Sequence, residues 1–90
     1  MNTESINCRK VAFGYIKNVG DFAFNDDFTF LYVWLPGVSG PDALEIARVE
    51  NNKPRVWHWD GNKEAPTLKP SISAPGQWHG YLTAGRLESC

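Results

Sequence analysis

No stretch of this chain stays apolar for long. The longest such run, Phe30 to Pro36, is far too short to cross a bilayer. An excess of either charge is missing as well, with nine Lys and Arg against ten Asp and Glu, a formal net charge of −1. Duplex DNA binders carry a clear positive excess, so that class is not expected, and neither is a strongly acidic DNA mimic. Cysteine is scarce, with only Cys8 and Cys90 near the two ends. There is no C-x-x-C pair, no nucleophile motif, and no Gly-rich phosphate loop after a strand. Catalytic residues and cofactors are therefore not expected, and the chain reads as a non-enzymatic protein. Met1–Ser5 has neither a basic nor an apolar leader region, so a cytoplasmic location is expected. In that compartment two free thiols are the preferred reading, although a Cys8–Cys90 bridge would close nearly the whole chain into one loop.

What the chain has in quantity is aromatic surface: four Trp, three Tyr and five Phe in 90 residues. A domain this small needs most of them for its own core. One domain over residues 1–90 is expected, with 1–7 frayed. The extended runs are short and separated by turn residues. Cys8 to Ile16 alternates loosely as a half-buried strand, and Phe22-Ala23-Phe24 forms another short one. Phe28 to Leu35, rich in aromatic and β-branched residues, reads as a central strand buried on both faces. Leu44–Glu50 and Arg55–Trp59 flank the polar Asn51-Asn52-Lys53 and read as a hairpin. Gln77–Leu82 and Arg86–Cys90 close the chain as two more strands. With no convincing helix, the fold class is all-β, a small single-domain sandwich or partly open barrel of short antiparallel strands.

The acids Asp21, Asp26 and Asp27 lack the spacing of a calcium loop and read as solvated turns. His79 and Cys90 would supply two ligands to a soft metal, where structural zinc wants four, so no metal site is expected. The richest stretch is Trp57 to Ile72, where Asp60-Gly61 signals a tight turn and two prolines hold an extended link. Alternation in Arg55–Trp59 puts Trp57 and Trp59 on the core face. Lys53, His58, His79 and Tyr81 remain as the exposed set on which a partner would dock.

The stretch Trp59-Asp60-Gly61-Asn62 through Pro66-Thr67-Leu68-Lys69-Pro70-Ser71-Ile72, followed by His79, Gly85 and Cys90, resembles a family of small phage- and prophage-associated domains. The resemblance covers residues 28–90. That family carries a Cys-Pro-Gly-Cys knuckle and a later Cys-His, a pattern like a zinc site. Here Leu35-Pro36-Gly37-Val38 stands in place of the knuckle and Trp78-His79 in place of Cys-His. The resemblance thus implies a degenerate zinc site in which apolar packing at Leu35, Val38 and Trp78 replaces the metal. It also implies a phage accessory protein that binds a host or phage protein, including inhibition of a host defence such as CRISPR, in the cytoplasm of an infected or lysogenic bacterium. The alternatives are a single-stranded nucleic-acid binder using exposed aromatics and a domain retaining a residual zinc site. An apolar edge strand would also allow a homodimer.

Overall fold

The computed structural model describes residues 5–50 and 53–90. Among these residues nine strands form a single sheet in the order β1-β9-β8-β7-β6-β5-β4-β3-β2. They are β1 (Ser5–Asn7), β2 (Arg9–Lys10), β3 (Asp21–Phe24), β4 (Phe30–Val33), β5 (Asp42–Ala47), β6 (Val56–Trp59), β7 (Leu68–Ala74), β8 (Trp78–Thr83) and β9 (Arg86–Ser89). The two edges of the sheet, β1 and β2, are consecutive in the chain. Cys8 joins them, its N–H donating to the Gly85 carbonyl at 2.9 Å while the Arg9 N–H donates to Gly20 at 3.0 Å. The sheet is thereby drawn into a nearly closed barrel, which removes most of its exposed edge. The all-β expectation holds. No helix among the described residues is long and apolar enough to cross a membrane.

The core follows strand alternation. Phe22, Leu31, Val33, Leu44, Ile46, Trp59, Leu68, Ile72, Leu82 and Leu87 point inward and are buried. Leu35 and Trp78 belong to the same cluster, and Val38 packs against it. The Pro36–Gly37 turn holds this corner, with Gly37 at φ 76 and the Trp34 indole N–H donating to the Val38 carbonyl at 2.8 Å. Leu35, Val38 and Trp78 thus form a packed corner of the core.

Several local expectations are corrected. Residues 5–7 are paired with β9 as β1, and the rest of the frayed segment lies outside the described residues. The strand expected over Cys8–Ile16 stops after Lys10, and the chain turns at Gly14 (φ 91), leaving Phe13 and Tyr15 exposed. Phe28 sits in a turn at φ 58, and β4 is buried on one face only. Two ladders are parallel, β2 with β3 and β5 with β6.

The second of these ladders overturns the hairpin expected around Asn51-Asn52-Lys53, of which the two asparagines lie outside the described residues. A parallel neighbour ordinarily needs a connection of about a dozen residues or more. Residues 48–55 manage it because β6 retraces little of β5: Val56 lies beside Glu45, not beside Asp42. Pro54 and Arg55 (φ 65) turn the chain into the sheet at that point. The consequence is a gap. β6 pairs with β7 at His58–Lys69 and Trp59–Leu68, and by the same register its first residue, Val56, reaches only to Ser71. Ile72–Ala74 on one side and Asp42–Leu44 on the other therefore have no β6 residue beside them.

The barrel's seam is held by a buried acid. Asp21, read from the sequence as a solvated turn, is 3% exposed. It accepts the N–H groups of Lys17 and Asn18, each at 3.1 Å, and pairs with Arg9 at 3.4 Å. Burial acts to raise its pKa, but the two N–H donors and Arg9 together hold it below the ordinary 3.8. A depressed folded-state pKa means that the contribution is fully present above the unfolded value and is lost as pH falls through the folded one. Asp21→Asn is expected to cost about 1.5–3 kcal/mol at neutral pH, with the difference from wild type shrinking in urea melts run below pH 3.8. Trp78→Ala is expected to cost about 3–5 kcal/mol, because it empties a core position and strands the Ser89 hydroxyl that its indole contacts at 2.8 Å. A variant melting like wild type would contradict the packed corner.

Candidate active site

The loop from Trp59 to Thr67 is a hydrogen-bonded frame. The Asp60 carboxylate accepts the N–H of Asn62 at 3.0 Å and of Thr67 at 3.2 Å. Gly61 takes φ 86 between them, as a tight turn at Asp60-Gly61 requires. The Asn62 side-chain oxygen accepts the N–H groups of Glu64 and Ala65, and the Trp59 indole donates to the Asn62 carbonyl. At the far end the Thr67 hydroxyl accepts the Ala84 N–H at 2.8 Å and the Pro66 carbonyl accepts that of Gly85 at 2.9 Å. These bonds tie the start of β7 to the β8–β9 turn. They fix where β7 enters the sheet and thus where the residues after Pro70 fall.

β7 then bulges. Leu68 pairs with Leu82 and Ile72 with Gly80, so the segment between Leu68 and Ile72 is longer on β7 than on β8. The Lys69–Pro70 peptide is cis. A bulge re-aims the side chains next to it. Ser71, on the outer face, meets the imidazole of His79 diagonally across the hairpin, with its Oγ 2.9 Å from Nε2. The other ring nitrogen, Nδ1, is 3.3 Å from the Sγ of Cys90.

Each of these groups is anchored from behind. The Trp57 indole donates to the Ser71 carbonyl at 3.2 Å. Trp78, next to His79, is buried in the core, and its indole holds Ser89, next to Cys90. The Cys90 N–H donates to the His79 carbonyl at 3.1 Å. A Cβ at Gly80 would come within 3.0 Å of both the Glu88 carbonyl oxygen and the Trp78 ring, so the absence of a side chain there leaves room for the ring and for β9.

In such a chain of contacts a hydroxyl can be activated. With Nδ1–H directed at the cysteine sulfur, Nε2 presents its lone pair to the Ser71 O–H, the relation of nucleophile, base and orienting third group. A thiol is a weaker acceptor than the carboxylate that commonly fills the third place. Beside the pair lies an open groove of about 970 Å³ over the gap in the sheet, lined by Ser71, Ser73, Phe30, Val38, Glu45 and Trp57 among others.

The four residues expected to form a docking surface are dispersed among different roles. His79 is exposed but belongs to the Ser71 contact. Tyr81 is 47% exposed two residues along the same face of β8. Lys53 is exposed on the wall of the groove. His58 is half-buried, its Nε2 3.0 Å from the Arg48 carbonyl, so it serves the β5–β6 connection. His79 and Cys90, two candidate metal ligands in the sequence, do meet, and the same imidazole meets Ser71 through its other nitrogen. Among the described residues no group of three or more His, Cys, Asp and Glu is placed to hold a metal. Cys8 is remote from this chemistry: burial pushes its thiol up to about 11, and it stays protonated at neutral pH. Ser71 itself escaped the sequence reading. Its only signal there was alternation, which places 71, 73, 79 and 81 on one face across a Pro75-Gly76 turn.

Residues 24–90 match the family described as the bacterial ubiquitination-like system serine protease BubE. That span is most of the chain, and the chain belongs to this family. Neither the curated proteins nor the solved structures contain a match. The membership overturns the expectation of a non-enzymatic protein. Ser71 and His79 are brought together by strand register, which no linear motif records.

Proposed function

We propose that this chain is a serine peptidase in which Ser71 is the nucleophile and His79 the general base, acting on protein substrates of a bacterial ubiquitination-like system. The observation that carries the reading is the 2.9 Å contact between the Ser71 hydroxyl and His79 Nε2 in a member of a serine protease family. Ser71 Oγ attacks the carbonyl carbon of the scissile amide as its proton passes to Nε2. The C–N bond then breaks, and Nε2 returns that proton to the departing amine, leaving an ester on Ser71. Water, deprotonated by the same nitrogen, hydrolyses the ester and restores the hydroxyl. Cys90 is a positioning residue, holding the tautomer in which Nε2 is free to accept.

A second reading is favoured by the 3.3 Å contact of Cys90 with the same ring, which would make the thiol the nucleophile. The groove favours Ser71, because Ser71 lines it and Cys90 does not. The binding of a host or phage protein expected from the sequence is a separate proposal from recognition of a polypeptide substrate. Carriage by a phage or prophage, and through it interference with a host defence, is a separate proposal resting on the sequence resemblance.

Reaction with a small fluorophosphonate, read by intact mass and peptide mapping, tests the assignment without knowledge of the substrate. The expected label is on Ser71, and the labelling rate falls at least about 10³-fold in Ser71→Ala and in His79→Ala while both melt like wild type. His79-dependent alkylation of Cys90 by iodoacetamide, with no phosphonylation of Ser71, would contradict it.

A further inference from the structure

The groove beside Ser71 is bounded by main chain on both sides. His79 directs its backbone toward β9, since its carbonyl accepts the Cys90 N–H. Ser73, its register partner on β7, therefore directs its own N–H and C=O away from β8 and into the gap. The Ser71 carbonyl agrees with this parity, as it accepts from Trp57 on β6. On the opposite wall the Ile46 N–H donates to Thr29, on the β4 side. By alternation Leu44 also faces β4, while Ala43 and Glu45 face the other way. Glu45 meets β6, but Ala43 lies beyond the start of β6 and looks into the groove.

Counting onward from the Glu45–Val56 and His58–Lys69 pairs puts Ala43 and Ser73 at neighbouring levels of the sheet, with one strand missing between them. Second-neighbour strands of a sheet lie roughly 9.5 Å apart, twice the ordinary spacing, which is the room one extended chain needs.

We propose that the substrate binds as an extended strand in this gap, prolonging the track of β6 and pairing its backbone with Ser73 on one side and Ala43 on the other. This rests on the peptidase reading above. The track ends at Val56, beside Ser71, so a chain lying in it brings a peptide bond to the nucleophile. The lining carries acids (Asp42, Glu45) and bases (Lys53, Arg55) together with Phe30 and Trp57. No single charge sign is selected, and the feature that both walls share among the described residues is main chain with no strand paired to it. Its complement is the main chain of an unfolded segment, such as a terminal tail or linker.

Alanine-based peptidyl phosphonates of increasing length test the proposal, compared with a small fluorophosphonate that needs only Ser71. Two added ladder bonds are expected to raise the inactivation rate constant about 10- to 100-fold from the shortest to the longest reagent. N-methylation of the reagent's amides at alternate positions is expected to abolish that gain. So is Ser73→Pro, which removes the groove-facing N–H at a position where none of β6 is paired. In both cases the small fluorophosphonate is expected to react as before, which also shows that Ser73→Pro is folded. A length-independent rate, or a gain insensitive to N-methylation, would overturn the strand while leaving the peptidase standing. Failure of every reagent to label Ser71 would instead overturn the peptidase. A concentration-dependent dimer from which only the long reagents are excluded would place a second copy of the chain in the gap and overturn the proposal too.

Discussion

The short parallel connection between β5 and β6 is the constraint on which the site depends. Residues 48–55 carry the chain back only as far as Glu45, so β6 begins late and leaves two strand edges without a neighbour. In a sheet otherwise drawn almost shut, unpaired edge is a liability that folds tend to eliminate. Here it lies beside Ser71 and His79, where it provides a slot for a polypeptide. A hairpin at the same place would have paired β6 along more of β5 and filled the slot. The left-handed backbone at Arg55 marks the point where the chain is turned into the sheet.

The chemistry is mounted on strands and not on a flexible loop. Ser71 follows a bulge whose start is clamped by the Asp60–Thr67 frame and whose carbonyl is held by Trp57. His79 rides on a strand rooted by Trp78, and Cys90 is tied to it through backbone. Packing thus supplies the rigidity that positions a nucleophile against its base. The corner formed by Leu35, Val38 and Trp78 belongs to the same support, since Trp78 carries both the core contact and the bond to Ser89.

The sequence made the elements legible more readily than their partners. Alternation along Trp78–Thr83 correctly divides Trp78, Gly80 and Leu82 from His79, Tyr81 and Thr83, and Asp60-Gly61 correctly announces a turn. Two apolar runs around a polar turn look alike whether the second strand lies antiparallel or parallel, so β5 and β6 were not distinguishable as parallel neighbours. The loose alternation after Lys10 misled because the chain leaves β3 there and turns at Gly14, whose φ of 91 no strand accommodates. Ser71 was invisible for a different reason. Its approach to His79 is set by a bulge and a diagonal register, and neither leaves a composition signal. Asp21 looked like a turn acid, yet it is buried because the seam needs an acceptor for two N–H groups.

The most direct measurement is a crystal structure of the protein reacted with a peptidyl boronic acid. Boron traps an activated hydroxyl as a tetrahedral adduct, and the attached peptide reports where the chain lies. The expected result is a bond from boron to Ser71 Oγ, with His79 Nε2 within hydrogen-bond reach and the peptide backbone paired to Ser73 and Ala43. Boron bound to Cys90, or bound to no side chain with Ser71 and His79 drawn apart, would contradict it.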